Sequence, residues 1–121
     1  MTSHYDLSDE QFEQEFSNCS LDPKLFNHTA HLRLGFLYAK QYGLEVAIEK
    51  VCQQIQQFDR THGDGTKFNR ELTELSVKAI YYHIEEGMVN SFSSFLLRYP
   101  SFTSSFKSVL EEYQQKKEKL G

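Results

Sequence analysis

Leu44, Ala47, Ile48, Val51, Ile55 and Phe58 recur at intervals of three and four residues. An α-helix brings its side chains back to one face about every 3.6 residues, so this stretch is a helix with a single apolar stripe to bury. Gly43 precedes it, and THGDGTK, the one loop with two glycines, follows it as a turn. The same period governs the neighbouring segments. SDEQFEQEF opens a first helix, with Ser8 and Gln11 spaced as a capping box and Phe12 and Phe16 four apart on one face. Asn27 is placed to cap a second helix running to about Tyr42, with Gly43 just past its end. Ala30, Leu34, Leu37 and Tyr38 form one stripe of that helix, and Leu32, Phe36 and Ala39 form another. A helix apolar around so much of its circumference belongs at the centre of the fold. Asn69 caps a fourth helix, about 70 to 86, whose stripe is Leu72, Leu75, Ser76, Ala79, Ile80 and His83 and which Gly87 ends.

The last third changes character. GMVNSFSSFLLRYPSFTSSF is built of Ser and Phe around a single charge, Arg98. It predicts a short helix near 91–98, stopped because a residue before proline disfavours helical geometry. A final helix from about 103 turns Phe106, Val109, Leu110 and Tyr113 inward. No alternating strand pattern competes with this reading. The predicted fold is all-α, a bundle of four main helices with short additional helices, formed by residues 1–121 as a single helical domain. Such a length holds a core without disulfides or structural metal. Cys19 and Cys52 make no C-x-x-C pattern, and a cytoplasmic protein with two reduced thiols is expected. The formal charge is -4, and the lysines of QQKKEKL are mixed with Glu, so no nucleic-acid partner is expected. MTSHYDLSDEQ is too polar and acidic for a signal peptide, and no apolar run reaches about 18 residues, so no membrane span is expected either.

Chemistry centres on FNHTAHLRLGFLY. His28 and His31 stand three apart at the start of the second helix, which places their Cβ atoms about 5–6 Å apart. Imidazoles so placed suit a divalent transition metal, which needs at least one more ligand. In an up-down bundle the second and fourth helices run parallel and begin at the same end. His28, His31, His62 and Glu71 then form a candidate metal set there, with His83 further along the fourth helix. Without metal, the pair is a candidate acid and base titrating near neutrality, for a hydrolytic or lyase reaction on a small polar ligand. The other reading is structural: His28 bonds near the helix start and His31 is a satisfied boundary residue. The motif lacks the H-E-x-x-H pattern, and no Asp follows His31. The glycine loop lacks phosphate-loop spacing, the serines from 91 to 105 follow no G-x-S-x-G pattern, and Cys52 sits among packing residues. Whether the chain is an enzyme stays open. Arg33, two residues beyond His31, is expected to face elsewhere. Phe92, Phe95, Phe102 and Phe106 fill the core, or else line an apolar pocket or a self-association face. The last case makes the chain a non-catalytic interaction domain and a homodimer.

The stretch F-N-H-T-A-H-L-R resembles a family of small, uncharacterised bacterial proteins with an F-x-H-x-x-H-L-R motif and a later Y-H-E-T-[IL]-T motif. The resemblance covers roughly residues 25 to 85. It implies a helical fold and a pocket lined by the paired histidines and the second motif, and no established activity. His28, His31, Leu32 and Arg33 match the first motif. In the second, Phe68 replaces the tyrosine, Asn69 replaces the histidine, Arg70 and Glu71 fall where Glu and Thr would be, and Thr73 matches. Phe68, Asn69 and Thr73 are thus the implied pocket residues. An amide is a poor ligand for zinc-like ions, so Glu71 or His62 would have to stand in for the lost histidine.

Overall fold

The computed structural model describes residues 3–120, and these form helices and no strand. In chain order they are α1 (Asp9–Ser17), α2 (His28–Tyr42), α3 (Leu44–His62), α4 (Arg70–Gly87), α5 (Phe92–Arg98), α6 (Ser101–Ser104) and α7 (Phe106–Leu120). Single 3-10 turns at His4–Asp6 and Pro23–Leu25 precede α1 and α2. The fold is all-α, and α2, α3, α4 and α7 are its four long members.

The helices begin where polar side chains can take up free N–H groups. Ser8 and Gln11 form the reciprocal box at α1. The Asn27 Oδ1 accepts from the Ala30 N–H at 2.9 Å, and the Asn69 Oδ1 accepts from the Leu72 N–H at 3.1 Å. Gly43 has φ of 80° and joins α2 directly to α3, a backbone angle that residues with a Cβ avoid.

Three boundaries differ from the sequence reading. First, α3 continues through Thr61 and His62 and so consumes the start of the expected loop. Secondly, Met88, with φ 50° and ψ 45°, is the left-handed residue that ends α4, while Gly87 is still helical. A Cβ at Gly87 would lie 2.6 Å from the Tyr99 hydroxyl and 2.7 Å from the Arg98 Nε, so any side chain there would have to displace the outer parts of those two side chains. Thirdly, the final helix starts at Phe106 and not near 103. Residues 101–104 make one turn after Pro100, and Ser105, at φ -150° and ψ 51°, leaves helical geometry before α7 begins.

The central position expected for α2 is observed: every residue from Leu32 to Ala39 is buried. It packs on α3 and α4. The Tyr38 hydroxyl donates to the Gln54 Oε1 at 2.7 Å, while Phe26, just before α2, meets Phe58 near the end of α3. Those contacts make α2 and α3 antiparallel. Gly35 lets α4 come close, since a Cβ there would sit 2.9 Å from the Ile80 Cδ1. Phe12, Phe16, Phe95 and Phe102 are fully buried and join α1, α5 and α6 to the same core. Among the described residues no helix is long and apolar enough to cross a membrane.

Arg33 faces away from the histidines and is 5% exposed. Its Nη1 donates to the His4 carbonyl at 2.7 Å and its Nη2 to the Leu7 carbonyl at 2.9 Å. Nη2 also pairs with the Asp9 Oδ1 at 2.8 Å. The guanidinium carbon lies 4.7 Å from the Phe12 ring centre. Arg33 therefore ties the N-terminal segment to α2.

Candidate functional site

A cavity of about 360 Å³ lies between the first half of α2, the middle of α3, the first half of α4 and the start of α7. Leu32, Val51, Ile55, Val77, Ile80 and Phe106 give it mostly apolar walls. The polar side chains in its lining are Asn27, His28, His31, Thr73 and Ser76. Positions 28, 31, 32 and 35 fall on one side of α2 because their spacing is three and four. Residues 72, 73, 76, 77 and 80 do the same on α4. The lining pairs the first turns of these two helices, so they begin at the same end, as the bundle topology requires.

Backbone carbonyls fix the protonation of both imidazoles. A carbonyl only accepts, so His28 Nε2 donates to the Phe102 oxygen at 2.9 Å and His31 Nδ1 donates to the Asn27 oxygen at 2.8 Å. In the neutral rings this leaves lone pairs on His28 Nδ1 and His31 Nε2. The Thr73 hydroxyl donates to the Asn69 carbonyl at 2.8 Å, and the Ser76 hydroxyl to the Leu72 carbonyl at 2.7 Å. His31 stacks on Phe26 with ring centres 3.7 Å apart, and the Phe106 ring meets His28 edge-on at 4.8 Å. Crowding by protein lowers the His31 pKa from the ordinary histidine value. The Asn27 carbonyl bond opposes that shift, and the charge of His28 adds to it.

A smaller cavity of about 220 Å³ adjoins the first and shares Phe26, His31 and Ile55 with it. Asp59, His62, Lys67 and Phe68 complete much of its rim. His62 Nε2 donates to the Cys19 carbonyl at 2.7 Å, which pins the end of α3 to the loop after α1. Asp59 is 9% exposed, and its Oδ2 accepts from the N–H groups of Lys67 at 2.8 Å and Phe68 at 2.9 Å. Those bonds shape the glycine loop. Sequence reasoning passed over Asp59. The signal was a carboxylate in the last turn of a helix, where the dipole disfavours it, beside a glycine loop with N–H groups to satisfy.

The sequence-derived site residues thus separate. His28, His31 and Thr73 share the larger cavity. His62 and Phe68 line only the smaller one. Asn69 is a helix cap and lines neither, because its side chain is spent on the Leu72 N–H. Glu71 is exposed and lines neither, one residue out of phase with the inward face of α4. Among the described residues no group of three or more His, Cys, Asp or Glu is placed to hold a metal ion. Ser76, Ile80 and Phe106 are lining residues that the motif comparison did not single out, although Ser76 and Ile80 were legible as part of the α4 stripe. No family model, curated protein or solved structure matches the chain.

Proposed function

We propose that the protein binds a small, largely apolar molecule in the larger cavity, with His28 and His31 among its polar contacts. The observation that carries this reading is the cavity itself. Its size falls in the range of small-molecule sites, about 300–1,000 Å³, and its composition is the usual one of apolar walls with a few convergent polar groups. The walls favour an apolar ligand over the small polar substrate expected from the sequence. The family resemblance at residues 26–33 supports the same location, since it implies a pocket at the paired histidines. The test is ¹⁹F NMR of 4-fluorotoluene with the protein and with Ser76→Phe, which fills the cavity. Saturable binding to the parent chain, lost in a folded Ser76→Phe, supports the proposal. Binding that survives the substitution, or no binding at all, removes it.

A second reading, self-association, draws on Met88 and Leu97, each 83% exposed. The Arg98 side chain lies against Gly87, so the chain segments that carry these two residues meet. Sedimentation of the chain and of Met88→Glu with Leu97→Glu tests it: a dimer that dissociates on substitution supports it, and a strict monomer ends it.

A further inference from the structure

We infer that the cavity selects a neutral apolar molecule carrying a hydroxyl group, which it recognises chiefly by accepting a hydrogen bond. The inference rests on the cavity being a small-molecule site and adds which chemical class enters. Four of the five polar side chains in its lining spend their proton on a backbone carbonyl. His28 gives its Nε2–H to Phe102, His31 its Nδ1–H to Asn27, Thr73 its hydroxyl to Asn69, and Ser76 its hydroxyl to Leu72. What they retain are lone pairs on two nitrogens and two oxygens. Asn27 is the exception. Its Oδ1 is engaged by the Ala30 N–H, so its Nδ2 amide remains as a donor.

That inventory discriminates between ligand classes. A carboxylate brings only acceptors and would set a negative charge against lone pairs. An ammonium brings donors, but no carboxylate lines this cavity to balance its charge. Burying an unpaired charge against apolar walls is far costlier than burying a neutral polar group. A pure hydrocarbon satisfies the walls and leaves the displaced water's hydrogen bonds unmade. A hydroxyl donates to one of the four lone-pair sites and can accept from Asn27. The protein packed around His31 lowers its pKa from the ordinary histidine value and works in the same direction.

The experiment compares three ligands of one shape, 4-fluorotoluene, 4-fluorophenol and 4-fluorobenzoate, by ¹⁹F NMR titration and calorimetry at pH 8. At that pH an ordinary imidazole is neutral. The phenol is expected to bind about tenfold tighter than the toluene, the ratio that one well-made hydrogen bond supplies, and the benzoate weakest. His31→Leu and Ser76→Ala, each checked for fold by circular dichroism, are expected to reduce the phenol's advantage and leave toluene binding in place. Two variants are used so that a packing change in one does not decide the outcome. If toluene binds and the phenol binds no tighter, this inference falls while the cavity reading stands. Tightest binding by benzoate also overturns it, and would assign recognition to the N–H groups at the starts of α2 and α4. If none of the three binds, both readings fail together.

Discussion

The pairing of Arg33 with Asp9 gives the sharpest quantitative test of how the N-terminal segment is held. Two substitutions break the same ion pair from opposite sides. Arg33→Met removes a buried guanidinium that donates to the His4 and Leu7 carbonyls. Hydrogen bonds to a charged group are worth about 1.5–3 kcal/mol each, so two give roughly 3–6 kcal/mol gross. The His4 carbonyl keeps a second donor, the Leu7 N–H at 3.1 Å, and the segment can detach locally, so the net loss is about 2–4 kcal/mol. Asp9→Asn acts on a side chain that is 62% exposed. An exposed ion pair contributes about 0–1 kcal/mol, and the lost charge in the first turn of α1 adds a few tenths. Its expected cost is below about 1.5 kcal/mol. Urea unfolding followed by far-ultraviolet circular dichroism measures both, and hydrogen exchange over residues 3–8 reports whether the segment detaches in Arg33→Met. Equal costs would mean that the ion pair holds the segment and that the buried carbonyl bonds do not. A loss under about 1 kcal/mol for Arg33→Met would refute the reasoning outright.

Three further outcomes are expected. Gly35→Ala brings a Cβ within 2.9 Å of the Ile80 Cδ1, the tip of a flexible side chain beside the cavity. The helix-propensity gain of about 1 kcal/mol offsets the crowding, so thermal unfolding is expected to change little while affinity for 4-fluorotoluene drops; a loss above about 2 kcal/mol would show that Ile80 cannot yield. Stability is expected to fall as pH drops below about 6.5, the unfolded histidine value. Burial and then the Arg33 charge lower the His4 pKa, so over that window the unfolded chain binds a proton that the folded chain refuses. His31 shifts the same way, so His4→Gln, which keeps an acceptor for Arg33, is expected to flatten part of the pH dependence of the urea midpoint, and an unchanged slope contradicts the assignment. Asn69→Ala is expected to cost about 1 kcal/mol through the lost α4 cap and to leave ligand affinity unaltered; an affinity loss would return Asn69 to the site.

What was legible in the sequence followed from periodicity. The apolar spacing in α2, α3 and α4, with caps at Asn27 and Asn69, placed these helices within a few residues and identified α2 as central. The boundaries that went astray depended on contacts distant in sequence. Gly87 looked like a helix terminator, yet it is still helical and lies against the side chains of Arg98 and Tyr99. His62 looked like part of a loop, yet its bond to the Cys19 carbonyl, 43 positions away, accompanies the extra turn of α3. For the site, parallel placement of α2 and α4 brought His28 and His31 together with Thr73. Helical phase excluded Glu71, one residue off the inward face, and capping took the side chain of Asn69, so chain proximity to Thr73 could not bring them in.

The same phase argument explains how one helix of 15 residues serves three partners at once. Successive residues on a helix turn by about 100°, so His31 and Arg33 point in nearly opposite directions while His28, His31 and Gly35 share a side. One side thus faces the cavity and α4, and the other reaches the N-terminal segment through a buried cation. The motif residues His31 and Arg33, two apart in sequence and alike in charge when protonated, therefore belong to separate devices. Changing Arg33 is expected to loosen residues 3–8 with little effect on the cavity, and changing His31 to alter ligand selection with little effect on the segment. A strong coupling between the two in a double-mutant cycle of stability, above about 1 kcal/mol, would contradict this division.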